Sequence, residues 1–147
     1  IDDLEPETWH RIINLNLSGT YNVVRAVAKL MKKRKSGVIL LTSSGAGVHS
    51  PGSSPAYSAS KGGTHGLTFH LQNYLSKHGI RIHDILPGSI RSPLKEGQLK
   101  EALQNTGDQE HFEKSSDELG EPGGVAKIVA FIISDDASYL KGSIITK

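Results

Sequence analysis

Apolar residues recur along the chain with two periods, which predict helices alternating with short buried strands. Between Pro6 and Lys33 they return every three or four residues, the spacing of one face of a helix. The run Val38–Leu41 is entirely apolar and is bounded by Gly37 and by a Thr-Ser-Ser-Gly segment. Such a run is typical of a buried strand that ends in a turn. The first third of the chain is therefore predicted to be a long helix followed by a strand.

A second helix and strand follow. The helical pattern that contains Tyr57 continues to a stop at Gly79, and Arg81–Leu86 is predicted to be a strand that ends at Pro87–Gly88. A strand, helix and strand with short joints predict a right-handed parallel βαβ unit, whose ligands lie at the carboxyl ends of the strands. Ser44 and Pro87–Gly88 occupy such ends. We therefore expect both to border one crevice.

The last third of the chain combines a polar segment with a helix and a further strand. Residues 93–119 are polar with interspersed charges and indicate only short helices. Glu121–Pro122 has the form of a helix start, and Gly142–Thr146 begins a strand that stops at Lys147.

The first helix carries an interruption. Asn14, Asn16, Ser18 and Gly19 all weaken a helix interior, yet they fall in its middle. Interruptions of this kind often mark a kink or a functional site. The alternative is a buried asparagine whose side-chain hydrogen bonds are all made within the protein.

Candidate chemistry begins with Tyr57 and Lys61, which share a helix face at a spacing of four residues. A neighbouring ammonium favours the phenolate form of a tyrosine, so such a tyrosine can donate or accept a proton near neutral pH. Ser44, at the mouth of a strand, can bind an oxygen on which negative charge develops. A Tyr-x-x-x-Lys pair also arises by chance, since the chain has four Tyr and 17 Lys and Arg. Its combination with Ser44 and a Gly, Ser and Pro loop is more specific.

These motifs resemble those of the short-chain dehydrogenase/reductase family. The matching residues are Ser44, the Tyr57-Ser-Ala-Ser-Lys61 run, Asn16 within Asn14–Gly19, and Pro87–Gly88. The resemblance implies a Rossmann-type α/β fold with a doubly wound parallel sheet in three α/β/α layers. It also implies oxidation of an alcohol, or reduction of a carbonyl, with NAD or NADP as cofactor. Residues 1–147 would form part of a single NAD(P)-binding domain, its catalytic half.

The resemblance also implies roles for individual residues. Tyr57 would be the acid/base, Lys61 would bind the nicotinamide ribose and favour the phenolate, and Ser44 would hold the substrate oxygen. Asn16 would anchor a water that links Lys61 to solvent.

The resemblance likewise implies the cofactor and substrate contacts. The segment after Pro87–Gly88 would contact the nicotinamide carboxamide through Ile90 and Ser92, where the serine keeps the hydroxyl of the usual threonine. The loop 46–49 would line the substrate pocket with Ala46 and His49, and its apolar character suits a hydrophobic or mid-sized alcohol. Residues 93–119 resemble a substrate-covering segment, with a solvated connector as the alternative.

Two features depart from the family pattern. His83 and Asp84 stand where Asn-Ser or Asn-Ala is usual, and no G-x-G-x-x-G occurs anywhere, so the dinucleotide fingerprint is not found in this sequence. The resemblance implies that the residue choosing between NAD and NADP would precede Ile1, so that choice stays open. The resemblance places Ile1 inside a domain and covers about the C-terminal half of the family's length. We therefore expect the 147-residue chain alone to be inactive and unstable, and the complete protein to be a homodimer or homotetramer through its two long helices. A catalytically silent fragment or an assembly module is the alternative.

Composition narrows the remaining function classes. A net charge of +2 argues against nucleic acid or an anionic membrane as partner. The seven histidines are scattered and cysteine is absent, so no metal site and no disulfide are predicted. The lack of cysteine is compatible with a reducing compartment, and a cytoplasmic location is expected. A serine hydrolase is a third option, for which the G-x-S-x-G motif is missing.

Overall fold

A parallel sheet of three strands lies at the centre of the computed structural model, which describes residues 3–50 and 52–146. The strands, adjacent in this order, are β1 (Gly37–Thr42), β2 (Ile80–Leu86) and β3 (Ser143–Ile145). Both neighbouring pairs are parallel, so the three carboxyl ends lie at one edge of the sheet. The predicted βαβ unit is confirmed. The predicted end of the last strand at Lys147 lies outside the described residues.

Helices connect and cover the strands. In chain order they are α1 (Pro6–Ile13), a π-helical turn (Asn14–Ser18), α2 (Gly19–Arg34), α3 (Pro55–Ser76), α4 (Pro93–Thr106), α5 (Gln109–Asp117), α6 (Pro122–Ile133) and a 3₁₀ turn (Asp135–Ala137). The predicted interruption of the first helix is thus a π-helical turn. Residues 93–119, for which the sequence indicates only short helices, contain the whole of α4 and α5. No helix among the described residues is long and apolar enough to cross a membrane.

Local capping explains where the helices next to the site begin. The Ser54 side chain accepts a hydrogen bond from the main-chain N–H of Tyr57 at 3.1 Å, and Pro55 occupies the first helical position of α3. Ser92 caps α4 in the same way by accepting from the main-chain N–H of Lys95 at 3.2 Å. These caps place Tyr57 and Lys95 in the first turns of their helices.

The sheet is covered on both faces. Ile80 and Ile82 pack in one cluster with buried residues of α2, α3 and β1: Val24, Ala28, Leu75, Ile39 and Leu41. Arg81 lies between the two isoleucines on β2, and successive side chains of a strand point to opposite faces. Its guanidinium donates hydrogen bonds to the carbonyl groups of Ile132, Ser134 and Ala137, at and beyond the end of α6. Helices therefore flank the sheet on both sides, in the α/β/α arrangement expected from the sequence.

The unusual pair His83 and Asp84 is buried in the sheet. The Asp84 carboxylate lies 2.9 Å from Nδ1 of His65 on α3 and accepts a hydrogen bond from the Ser143 hydroxyl on β3. Nδ1 of His83 lies 3.3 Å from the carbonyl oxygen of Gly142, while its Nε2 is buried without a hydrogen-bond partner among the described residues. Burial lowers the pKa of His83 below its ordinary value of 6.5. Asp84 thus joins β3 and α3 to the central strand.

Candidate active site

A cleft of about 680 Å³ opens at the carboxyl edge of the sheet. Its walls come from the ends of the three strands, the loop after β1 and the first turns of α3 and α4. All of the predicted site residues except Asn16 line it: Ser44, Ala46, His49, Tyr57, Lys61, Pro87, Gly88, Ile90 and Ser92. The topology therefore brings the predicted catalytic, cofactor-binding and substrate-binding residues to one place.

Tyr57 and Lys61 lie one helical turn apart on α3. Nζ of Lys61 is 5.8 Å from the centre of the Tyr57 ring and donates a hydrogen bond to the carbonyl oxygen of Thr42 at 2.9 Å. Partial burial lowers the pKa of Lys61 below its ordinary value of 10.5. The ammonium thus lies between the end of β1 and the phenol ring, where its charge can act on a phenolate.

Ser43 and Ser44, which follow β1 directly, make different contacts. The Ser43 hydroxyl is buried and donates to the main-chain carbonyl oxygen of Lys61 at 2.9 Å. The Ser44 hydroxyl accepts a hydrogen bond from the main-chain N–H of Ala46 at 3.2 Å and donates to none of the described residues. Its proton is therefore available for an oxygen bound in the cleft.

The loop after β1 is folded tightly against α3. The main-chain N–H groups of Val48, His49 and Ser50 all donate to the carbonyl oxygen of Gly45. Gly47 has a φ of +80°, and a side chain there would collide with the carbonyl oxygen of Ser58. This packing holds Ala46 and His49 at the wall of the cleft.

Asn16 lies outside the cleft lining but is connected to Tyr57. Its side-chain amide donates to the hydroxyl of Ser60 at 3.1 Å, and Ser60 in turn donates to the carbonyl oxygen of Tyr57 at 2.8 Å. Asn16 belongs to the π-helical turn, and single π turns inside helices occur often at functional sites. Its predicted role of anchoring a water stays a prediction.

The segment after β2 is joined to the start of α6. Ile90 pairs with Gly120, and the main-chain N–H of Arg91 donates to the carbonyl oxygen of Gly120 at 2.9 Å. The Arg91 side chain donates to Glu121 and Glu96, which raise its pKa. The two ends of the segment 93–119 are therefore held together beside the cleft.

Several lining residues were not predicted from the sequence, namely Ser43, Ser50, Ser53, Leu94, Lys95 and Gln98. Lys95 and Gln98 could have been found, because Ser92–Pro93 marks a helix start just after the strand-end Pro87–Gly88 and a spacing of three residues puts both on one face. No aspartate or glutamate lines the cleft within the described part of the chain, while two lysines do. The positive charge of these lysines favours an anionic ligand in the cleft.

Comparison with known protein families gives a match to the short chain dehydrogenases over residues 1–103. Levodione reductase from Leifsonia aquatica is 32% identical over 146 residues, covering 93% of this chain and 53% of that protein. The 3-oxoacyl-[acyl-carrier-protein] reductase FabG from Thermotoga maritima is 31% identical over 142 residues, covering 97% and 56%. The chain thus spans about half the length of the curated relatives it matches.

Solved structures show the same similarity. The crystal structure of levodione reductase matches with a TM-score of 0.85 and 29% identity, covering 99% of this chain and 58% of that one. A crystal structure of NAD⁺-bound xylitol dehydrogenase matches with a TM-score of 0.85 and 26% identity, covering 98% and 60%.

Proposed function

The chain belongs to the short-chain dehydrogenase family, and on that basis we propose that the protein transfers a hydride between NAD or NADP and an alcohol or carbonyl compound. The observation that carries this proposal is the convergence of Ser44, Tyr57 and Lys61 on one cleft at the carboxyl edge of a parallel sheet. Ligands of open α/β sheets bind at that edge.

The cleft lining fits a dinucleotide. Lys61 and Lys95 supply positive charge without an opposing carboxylate in the described lining, and Pro87–Gly88 lines the cleft at the end of β2. When bound, the nicotinamide supplies or accepts the hydride. We assign Lys61 to the ribose, and Pro87–Gly88, Ile90 and Ser92 to the nicotinamide end.

The proton is the part of the reaction that side chains of this chain carry. In the direction of reduction the Tyr57 hydroxyl donates its proton to the substrate oxygen, and the free proton of the Ser44 hydroxyl forms a hydrogen bond to the same oxygen. The Lys61 ammonium stabilises the phenolate that remains on Tyr57. In the direction of oxidation the same groups act in reverse.

The walls of the cleft favour a substrate with an apolar body and a polar end. Ala46, Ile90 and Leu94 provide apolar surface, while His49 and Gln98 provide hydrogen-bonding groups. The segment 93–119 contributes Leu94 and Gln98 from α4, and we assign it the role of covering the substrate.

The test compares turnover with cofactor binding in the intact protein. Oxidation of NADH and NADPH is followed with levodione and a 3-oxoacyl-acyl-carrier-protein, the substrates that the names of the two relatives indicate. Tyr57→Phe should abolish turnover and leave NADH affinity nearly unchanged, because only the hydroxyl is lost. Tyr139→Phe is the matched control, since Tyr139 is 97% exposed. Activity of Tyr57→Phe within a few-fold of wild type would refute the assignment, and cofactor binding by the wild type without any turnover would support the silent alternative.

We further propose that the protein is a homodimer or homotetramer. The helices α2 and α3 and the π-helical turn before α2 expose large apolar side chains, namely Leu15, Val23, Leu30, Phe69 and Tyr74. A groove between α3 and the π-helical turn with the start of α2, lined by Leu17, Tyr21 and Leu67, adds further apolar surface. Sedimentation velocity should show a discrete oligomer that Val23→Glu dissociates, because a charge is costly in an apolar interface. A wild-type monomer would contradict the proposal.

A further inference from the structure

Hydrogen bonds at the end of β1 join this strand to the elements that carry the proposed catalytic groups. The Ser43 hydroxyl donates to the carbonyl oxygen of Lys61, and Nζ of Lys61 donates to the carbonyl oxygen of Thr42, both at 2.9 Å. The main-chain N–H of Ser43 donates to the carbonyl oxygen of Ile85 on β2 at 3.0 Å. Ser43 therefore connects β1, β2 and α3 immediately beside Ser44.

We propose that Ser43 is a positioning residue of the active site, an inference that rests on the proposed function. Its hydroxyl sets the distance between Ser44, at the end of β1, and the Tyr57–Lys61 pair on α3. Ser43 does not itself touch the substrate in this proposal. It acts through the main chain of Lys61 and through its covalent neighbour Ser44.

The contacts of the Ser43 hydroxyl favour a positioning role over the alternative, in which it only supplies a hydrogen bond to a buried carbonyl oxygen. Lys61 lies inside α3, so its carbonyl oxygen already accepts the helical hydrogen bond from the residue four positions later. A carbonyl oxygen has a second lone pair, which the Ser43 hydroxyl uses. Removing the hydroxyl thus leaves no orphaned acceptor in the helix, and its main effect is the loss of a fixed separation between strand and helix.

A fixed separation matters because proton transfer depends steeply on distance. The Ser44 and Tyr57 hydroxyls must meet the same substrate oxygen, and Lys61 must stay close to the Tyr57 ring. A displacement of about 1 Å costs about 100-fold in rate when reacting groups must be aligned. Ser43 is 3% exposed, so a water molecule does not readily replace its hydroxyl there.

The experiment uses Ser43→Ala and Ser43→Thr in the intact protein, with Thr68→Val as the matched control. Thr68 is fully buried on the same helix, and its hydroxyl also donates to a helical carbonyl oxygen, that of Thr64. We expect Ser43→Ala to lower kcat about 10- to 100-fold with little change in substrate KM. We also expect it to weaken NADH binding several-fold in a fluorescence titration, because Lys61 moves with α3. Ser43→Thr keeps a hydroxyl and should recover most of both losses, while Thr68→Val should change only the melting temperature.

The outcomes separate this proposal from the proposed function. If Tyr57→Phe is inactive and Ser43→Ala keeps kcat and NADH affinity within about threefold of wild type, the positioning role is overturned and the proposed function stands. An equal loss of kcat in Thr68→Val and Ser43→Ala also overturns it, since that pattern reports general destabilisation. If the wild type binds NADH without turnover, the titration alone decides: unchanged affinity in Ser43→Ala overturns the proposal and weakened affinity supports it. A wild type that binds neither NADH nor NADPH overturns both.

Discussion

Replacing Asp84 by alanine should destabilise the protein strongly, because this carboxylate connects three elements. It is completely buried, it lies 2.9 Å from Nδ1 of His65 on α3, and it accepts a hydrogen bond from Ser143 on β3. Asp84 and Ser143 are also direct partners in the β2–β3 register. In the alanine variant the half-buried polar groups of His65 and Ser143 lose this partner and keep only their contact with each other, at 3.1 Å.

The expected magnitude follows from the two hydrogen-bonded neighbours of the carboxylate. A hydrogen bond to a charged group contributes about 1.5–3 kcal/mol, and the carboxylate has two such neighbours, Nδ1 of His65 and the Ser143 hydroxyl. We therefore expect Asp84→Ala to lower the free energy of unfolding by about 3–5 kcal/mol. Asp84→Asn has the same shape and keeps a carbonyl oxygen for Ser143, so its effect should be about half as large.

Urea unfolding of the intact protein, followed by circular dichroism, measures these differences. The control is Asp117→Ala, since Asp117 is exposed near the end of α5 and should change the free energy by less than about 0.5 kcal/mol. A double-mutant cycle with Ser143→Ala should give a coupling energy of about 1–3 kcal/mol. The reasoning is refuted if the effects of Asp84→Ala and Ser143→Ala are additive, or if Asp84→Ala lowers the free energy of unfolding by less than about 1 kcal/mol. Either result would show that this carboxylate does not hold β3 in the sheet.

Three further predictions concern ionisable side chains. Lys61→Met should lower turnover near neutral pH and weaken NADH binding together, and unchanged affinity by calorimetry would show that Lys61 does not reach the ribose. Burial lowers the pKa of His83 below 6.5, so its imidazole binds a proton more readily in the unfolded chain than in the folded protein. The contribution of neutral His83 to the free energy of unfolding is therefore complete above pH 6.5 and is lost as the pH falls below it. Urea unfolding at about pH 7 and about pH 5 should therefore show a smaller acid loss in His83→Asn, and an equal loss in both proteins contradicts the reasoning. Arg81→Met removes the donors to three carbonyl oxygens near the end of α6, which should cost about 3 kcal/mol in thermal unfolding, and a loss below about 1 kcal/mol contradicts it.

Much of the secondary structure was predictable from the sequence. The strand Val38–Leu41 is extended by one residue at each end in the structure, and Arg81–Leu86 begins one residue earlier. Glu121 is the residue before α6, as its Glu-Pro signal predicts. Such features depend on neighbouring residues along the chain, so a linear pattern contains them.

The candidate site was predictable as a set of residues but not as a set of contacts. Tyr57 and Lys61 share a helix face because of their spacing, and Ser44 follows a strand, so the sequence placed them at one edge of the sheet. It did not distinguish the roles of the two adjacent serines. Ser43 and Ser44 are the same residue type, and only the packing of α3 against β1 directs one hydroxyl to Lys61 and leaves the other beside the cleft.

By itself, then, the sequence determined the order of helices and strands, the parallel βαβ connection and the residues at the carboxyl edge, because periodicity, caps and turn residues are local. The tertiary structure alone decided the contacts that cross elements. The strand pattern does not explain the carboxylate of Asp84. Its role is visible only in the folded sheet, where it contacts His65, 19 residues before it, and Ser143, 59 residues after it. Long-range pairing depends on how faces pack, and no short window of the sequence contains that information.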